Sequence, residues 1–142
     1  MKKLALLIGL VFTFGVLANA QSTKQIAVHV PFDFYVKGQK MNAGDYVIES
    51  ASPQSNQAAL IFREKSGKAK GMLITIPIDL GNNQMAAAPF MLFNRYGDEY
   101  FLKEIFNPLE NIGFGVSSTK TEKYIAKKFG KPTQETVAMN LR

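Results

Sequence analysis

The feature that most restricts the fold of this chain is a regular alternation of apolar side chains near its beginning. Apolar residues occupy every second position from Ile26 to Val36. The positions between them hold small or polar residues, among them His29, and also Pro31 and Tyr35. A period of two over about a dozen residues is typical of a β-strand with one buried face. Pro31 cannot donate a ladder hydrogen bond, so we expect it to mark an edge or a bend from one strand into the next.

Further short strands are predicted along the chain. Phe90 to Tyr96 and Glu99 to Phe106 flank Gly97-Asp98, the pattern of a hairpin with a type II′ turn. Both strands carry apolar residues on both faces, so we expect them to be central or covered. The other predicted strands are 46–48, 59–64, 70–78 and a short one over 135–141, and Met72, Ile74, Ile76 and Ile78 share one face of the third.

One helix is predicted late in the chain. Thr119 and Glu122 have the spacing of a capping box, and Gly130 is a stop signal after the last helical residue. Tyr124, Ile125 and Phe129 supply a narrow apolar stripe that we expect to pack on the sheet. Together these elements predict a mainly β fold, a small antiparallel β-barrel or sandwich of about seven strands, with one C-terminal helix over 119–129.

The first twenty residues have the three parts of a bacterial signal peptide. Two lysines precede an apolar run of 14 residues from Leu4 to Leu17, shorter than the roughly 20 that cross a bilayer as a helix. Ala18 and Ala20 then occupy the positions that a signal peptidase reads, which predicts cleavage before Gln21.

This pattern predicts residues 1–20 as a signal-peptide helix and residues 21–142 as a single β-rich domain. We expect the product to be exported, periplasmic or extracellular, with no transmembrane span in the mature chain. The chain has no cysteine, so lipoprotein attachment is not expected. Two of the 17 basic residues lie in 1–20, so the mature chain carries 15 basic and 11 acidic side chains, a net charge of +4.

Three blocks of the chain resemble an uncharacterised family of small exported bacterial β-rich proteins. The blocks are Val30–Gly38 (VPFDFYVKG), Ala43–Ile48 (AGDYVI) and Asn94–Leu102 (NRYGDEYFL), and the lysine-rich segment 122–128 matches a charged helical part. Met41-Asn42 departs from the Leu-Pro pair that many members have there. The resemblance implies secretion and a shared β fold, and it brings no activity, cofactor or catalytic residue.

The residues that carry chemistry are few, and no catalytic residue, metal ligand or cofactor site is predicted. There is no cysteine, no Gly-x-Ser-x-Gly motif and one histidine. That histidine, His29, shares the polar strand face with Asp33 and Tyr35, and these three form a candidate exposed cluster in which His29 could contact Asp33. Strand and turn carboxylates leave a hydrolase as a remote alternative, namely Glu49, Glu64, Asp98, Glu99 and Glu104.

The strongest electrostatic feature is the lysine-rich helix segment. It is a candidate contact with an anionic envelope component, lipid or polysaccharide, through Lys120, Lys123, Lys127, Lys128 and Lys131. The mild positive charge of an exported chain does not point to nucleic acid.

The sequence therefore favours a non-enzymatic exported domain that acts through binding or envelope interaction. The alternative is a small barrel that carries an apolar ligand, because Phe, Met and Ile occur on both strand faces.

Overall fold

A computed structural model describes residues 25–51, 59–79, 88–107 and 112–141. The described residues form eleven β-strands and one helix, which makes the protein mainly β. In chain order they are β1 Gln25–Val30, β2 Phe34–Val36, β3 Gln39–Met41, β4 Gly44–Ser50, β5 Ala59–Glu64, β6 Ala69–Ile74, β7 Ile76–Asp79, β8 Phe90–Tyr96, β9 Glu99–Asn107, β10 Ile112–Gly115, α1 Lys120–Phe129 and β11 Thr133–Leu141.

The strands form a nearly closed barrel. An unbroken series of antiparallel pairings joins β9, β8, β11, β1, β4, β5 and β6. After Thr75 the chain continues as β7, which pairs with β10, and β10 pairs with the second half of β9. The first half of β9 pairs in parallel with β2, and β2 pairs with β3. Gln39 of β3 then donates a hydrogen bond through Nε2 to the carbonyl of Lys70 in β6 at 2.6 Å.

The turns follow from local backbone chemistry. Lys37 and Gly38 both have positive φ angles, 51° and 85°, which gives the tight hairpin between β2 and β3 the twist that two-residue turns favour. Gly97 has φ 62° between β8 and β9, as the first central position of the predicted type II′ turn requires. Pro31 lies between β1 and β2, so the expected interruption at this proline is confirmed.

The barrel interior is filled by one hydrophobic cluster to which nine of the strands contribute. Aromatic rings occupy its centre, where Phe34 meets Phe93 and Tyr46 edge to face with centroids 5.5 and 5.6 Å apart. The largest fully buried side chains are Phe34, Phe62, Phe93, Phe106, Ile48, Leu73, Met91, Ile105 and Val30. A single shared core explains why strands at both ends of the described chain belong to one barrel.

The β8–β9 hairpin is covered on its outer side as well, which confirms the prediction made from its two apolar faces. Tyr96 and Phe101 are buried outside the central cluster, with the Phe101 ring stacked on Tyr35 at 5.0 Å. The helix α1 contacts β8, and the Phe129 ring lies 3.3 Å from where a Cβ at Gly97 would stand.

The structure decides several open points of the prediction. It is a barrel-like sheet rather than a sandwich, and the described residues form eleven strands where about seven were expected. Much of the excess comes from the short pieces β2, β3, β7 and β10, which complete the circuit of the barrel. The predicted signal-peptide helix lies outside the described residues.

Candidate functional site

In the structure, the three residues of the candidate cluster, His29, Asp33 and Tyr35, contact different partners. His29 Nδ1 lies 2.7 Å from Asp45 Oδ1, directly across the β1–β4 pairing, whereas the sequence suggested Asp33 as its partner. Asp33 accepts from the Ala43 backbone N–H at 2.9 Å and pairs with Lys40 at 3.2 Å. Tyr35 is half-buried by its stacking on Phe101.

The contacts of Asp33 explain its electrostatics. The Ala43 N–H, and after it the Lys40 ammonium, hold the pKa of the Asp33 carboxyl below its ordinary value of 3.8. The carboxylate in turn raises the pKa of Lys40. Both side chains are more than half exposed, so this ion pair fixes the loop before β4 and contributes little to stability.

A shallow depression of about 200 Å³ lies on the outer face of the barrel beside His29 and Asp45. Lys65 and Asn140 also line it, so it offers a base, an acid, a cation and an amide to solvent. Its volume is below the roughly 300–1,000 Å³ of pockets that enclose small ligands. This depression therefore gives no support to the carrier alternative.

The helix α1 is fixed to the barrel by its single acid. Thr119 Oγ1 accepts from the Glu122 backbone N–H at 3.2 Å, which confirms the N-cap. The Glu122 side chain is 6% exposed and accepts from Asn94 Nδ2 on β8 at 3.0 Å. Glu122 therefore serves as an anchor to the sheet, with Ile125 and Ala126 half-buried one turn later.

The opposite side of α1 is cationic. The lysines of α1 and Lys131, which follows it, are all exposed. Together with Tyr124 they form the surface that we call the cationic face: Lys120, Lys123, Lys127, Lys128 and Lys131. Tyr124 is 72% exposed, so the expectation that it packs on the sheet is wrong, whereas Phe129, although 52% exposed, lies with one edge of its ring against Gly97 of the β8–β9 turn. The ammonium of Lys128 lies 5.3 Å from the centroid of the Phe129 ring. Because Glu122 points inward, no acidic side chain of segment 119–131 shares this face.

A second surface feature lies on β6 and β7. Four aliphatic side chains, which we call the apolar stripe, are exposed in a row: Met72 by 66%, Ile74 by 67%, Ile76 by 58% and Ile78 by 38%. The alternation predicts that they share one face. What the sequence could not reveal is that this face is the outer one: Leu73 and Thr75 are buried between the first three residues, and Pro77, between the last two, is exposed as well.

Two of the five acids considered for hydrolysis have basic partners. Glu49 pairs with the Arg63 guanidinium and Glu64 with the Lys70 ammonium. The described residues contain no group of three or more His, Asp or Glu side chains placed to hold a metal ion. These observations give the hydrolase alternative no support.

Two further results concern the membrane. None of the helices in the described part of the chain combines the length and apolar character needed to cross a bilayer. The predicted cleavage residues Ala18, Ala20 and Gln21 lie outside the described residues.

Comparisons with protein-family models, with curated protein sequences and with solved structures found no match to this chain. The resemblance to small exported bacterial proteins therefore stays a prediction. The features that define the molecule are a nearly closed β-barrel, one covering helix, and two exposed surfaces of opposite chemistry.

Proposed function

We propose that this protein is an exported, non-enzymatic binding domain that docks on anionic phospholipid surfaces of the cell envelope through the cationic face of α1. The observation that carries the proposal is the orientation of the helix. Its one acid, Glu122, is buried against Asn94, while the lysines of the segment point away from the barrel. The helix backbone is formed and anchored in the free protein, so the ordering cost at binding is limited to the lysine side chains.

The electrostatic gain is large enough to matter. Each lysine near an anionic membrane contributes about 1 kcal/mol, so the lysines of the cationic face together supply several kcal/mol at low ionic strength. The rest of the described surface mixes both signs, with ion pairs such as Lys40–Asp33 and Lys70–Glu64. The cationic face is therefore the surface that an anionic partner would select.

The aromatic residues favour a bilayer over a polysaccharide. Tyr124 lies among the lysines with an exposed ring and hydroxyl, a combination suited to the headgroup level of a membrane. Phe129 adds a half-exposed ring without a polar tip at the end of the helix. Sugar platforms commonly use Trp or Tyr, and the chain contains no Trp.

The test measures binding to lipid vesicles by co-sedimentation. The full chain is expressed for export, and its intact mass reports whether residues 1–20 are removed. We expect binding to phosphatidylglycerol–phosphatidylethanolamine vesicles and weak binding to phosphatidylcholine vesicles. Replacement of Lys120, Lys123 and Lys127 by Gln removes about 3 kcal/mol, on the order of a 100-fold loss of partitioning.

A matched control separates this face from overall charge. Lys37, Lys65 and Lys68 are exposed elsewhere on the surface, and their replacement by Gln changes the net charge by the same amount. We expect this control to retain most of the vesicle binding. Equal losses in the two triple variants, or binding to an anionic polysaccharide without binding to vesicles, would contradict the proposal.

A further inference from the structure

The apolar stripe is independent of the cationic face and of the function proposed for it. Exposed apolar residues scattered singly are normal on proteins, but a continuous exposed row marks an interaction surface. From its geometry and chemistry, we propose that the stripe is the contact surface of a symmetric homodimer of this chain.

The stripe carries no charged side chain and lies beside two glycines of β10. In the β7–β10 pairing, Gly115 lies opposite Ile76 and Gly113 opposite Ile78. A Cβ at Gly115 would lie 2.7 Å from Ile78 Cδ1, so the Ile78 side chain covers the bare backbone of its neighbour. On the other side, Ile61 and Ala59 of β5 pair with Met72 and Ile74 and extend the apolar surface. A second β surface of the same kind can therefore approach closely.

The arrangement is also self-complementary. A two-fold axis that lies in the interface plane near Thr75, perpendicular to the strand direction, sets Met72 of one copy over Ile78 of the other, and Ile74 over Ile76. Such an isologous contact brings similar aliphatic side chains together along the whole row. Met72 and Ile78 are six residue steps apart along the strand, so the row is about 20 Å long.

The exposed area fits a second copy as occupant. A fully exposed residue of this size presents about 200 Å², so the four exposures amount to roughly 460 Å² per copy, somewhat more than half of the ~800 Å² that each partner contributes to a standard interface. The half-buried Ile61 and Ala59 and the polar residues around them supply further area. The four stripe residues would then form the dry centre of the interface.

The charges beside the stripe suit a protein partner better than a bilayer. Arg63 and Glu49 pair with each other on β5 and β4, and Lys70 pairs with Glu64 at 2.9 Å. Because both signs are paired within each copy, two rims meet without an excess of like charge, as in the polar rim of an interface. The same pairing leaves this rim without the excess of positive charge that would draw it to an anionic bilayer.

The test is the mass of the exported chain by sedimentation equilibrium over a range of concentrations. We expect a monomer–dimer equilibrium that Ile74→Lys shifts toward monomer, with a dissociation constant raised on the order of 100-fold because each copy brings one substitution to the interface. Thr136→Lys is the matched control, since it places the same cation at an exposed strand position on β11. We expect this control to dimerise like the wild type, and thermal unfolding shows whether both variants are folded.

A charge-swap mixture adds a second, independent measurement. Ile74→Lys and Ile74→Glu should each be monomeric alone, and mixing them should restore a heterodimer through opposite charges across the axis. A wild type that is monomeric at every concentration, or a dimer that Ile74→Lys leaves intact, would overturn the proposal. Wild-type monomers that bind phosphatidylcholine vesicles, with that binding lost in Ile74→Ser, would assign the stripe to lipid and overturn it as well. None of these results depends on the lysines of α1, so failure of the dimer leaves the vesicle test unaffected.

Discussion

The cationic face of α1 and the apolar stripe of β6–β7 are opposite in chemistry, yet they arise in related ways. In the helix, the acid Glu122 is buried and the aromatic Tyr124 is exposed. In the strand, the polar Thr75 is buried while Ile74 and Ile76 on either side are exposed. In both regions a polar residue faces the barrel, which leaves lysines and Tyr124 exposed on the helix and aliphatic side chains exposed on the strand.

The difference between the two regions lies in what holds each orientation. A polar contact fixes the helix, since Glu122 accepts from Asn94 of β8. Backbone register fixes the strand, since the β5–β6 pairing sets Leu73 opposite Leu60 inside the barrel. A polar contact can be removed by one substitution, whereas register depends on a whole ladder, so we expect the stripe to be the more robust of the two surfaces.

The largest expected effect tests the orientation of the strand. Leu73 is fully buried and its neighbour Ile74 is exposed, so the same truncation at adjacent positions should have very different costs. Leu73→Ala should lower the free energy of unfolding by about 2–5 kcal/mol, and Ile74→Ala by less than about 0.5 kcal/mol. Urea denaturation in dilute solution measures both, and similar losses would mean that the stripe does not face outward.

The next largest effect separates the two surfaces by salt. Binding of the cationic face to anionic vesicles should fall on the order of 100-fold as the Debye length shrinks from about 30 Å at 0.01 M salt to 3 Å at 1 M. Dimerisation through the uncharged stripe should be unchanged or strengthened under the same conditions. Vesicle co-sedimentation measures the binding and sedimentation equilibrium measures the dimerisation. If both weakened with salt to the same extent, the two surfaces would not act independently.

A smaller effect concerns the anchor of α1. Glu122→Ala leaves the Asn94 amide without its partner and should cost about 1–2 kcal/mol of stability. Thr121→Ala, at the neighbouring exposed position, is the control and should be close to neutral. A double-mutant cycle of Asn94→Ala and Glu122→Ala gives the coupling energy, and additive losses would show that this contact does not hold the helix.

The smallest predicted effect is a loss of stability at alkaline pH that depends on Tyr96. Burial, and after it the charge of Glu122, raise the pKa of Tyr96 above its ordinary value of 10.0. The folded state keeps the proton of the Tyr96 hydroxyl to a higher pH than the unfolded chain does. The resulting contribution to the free energy of unfolding is therefore complete below pH 10 and is lost as the pH rises through the raised pKa. Tyr96→Phe should reduce this loss without abolishing it, because burial also raises the pKa of Tyr46. Urea unfolding at about pH 8 and about pH 11 measures the difference, and an unchanged slope would show that Tyr96 does not contribute.

The sequence was sufficient for the local elements and the fold class. The alternation before Pro31, the turn at Gly97 and the cap at Thr119 are all confirmed, because each depends on residues close together in the chain. These signals report period and termini, which are local properties. The prediction of a mainly β fold with one late helix is confirmed for the same reason.

The orientation of each face depends on distant partners, which the pattern does not contain. Glu122 finds Asn94, 28 residues away, and His29 finds Asp45, 16 residues away. The β5–β6 ladder also shifts register between Phe62 and Arg63, which a count of alternating residues cannot anticipate. The cationic face could be read from the sequence, but its separation from the only nearby acid could not. Export and the family resemblance are untested and stay predictions.

The contact between Gln39 and the Lys70 carbonyl has a consequence for how the barrel folds and opens. Within the described residues, β3 and β6 end the main pairing path, and the Gln39 side chain spans them. A side-chain amide can rotate away without breaking a backbone ladder. We therefore expect the contact between Gln39 and Lys70 to form last when the barrel folds and to break first when it opens. Hydrogen exchange should therefore begin at the β6 amides nearest Gln39, well before the β8–β9 and β8–β11 ladders exchange.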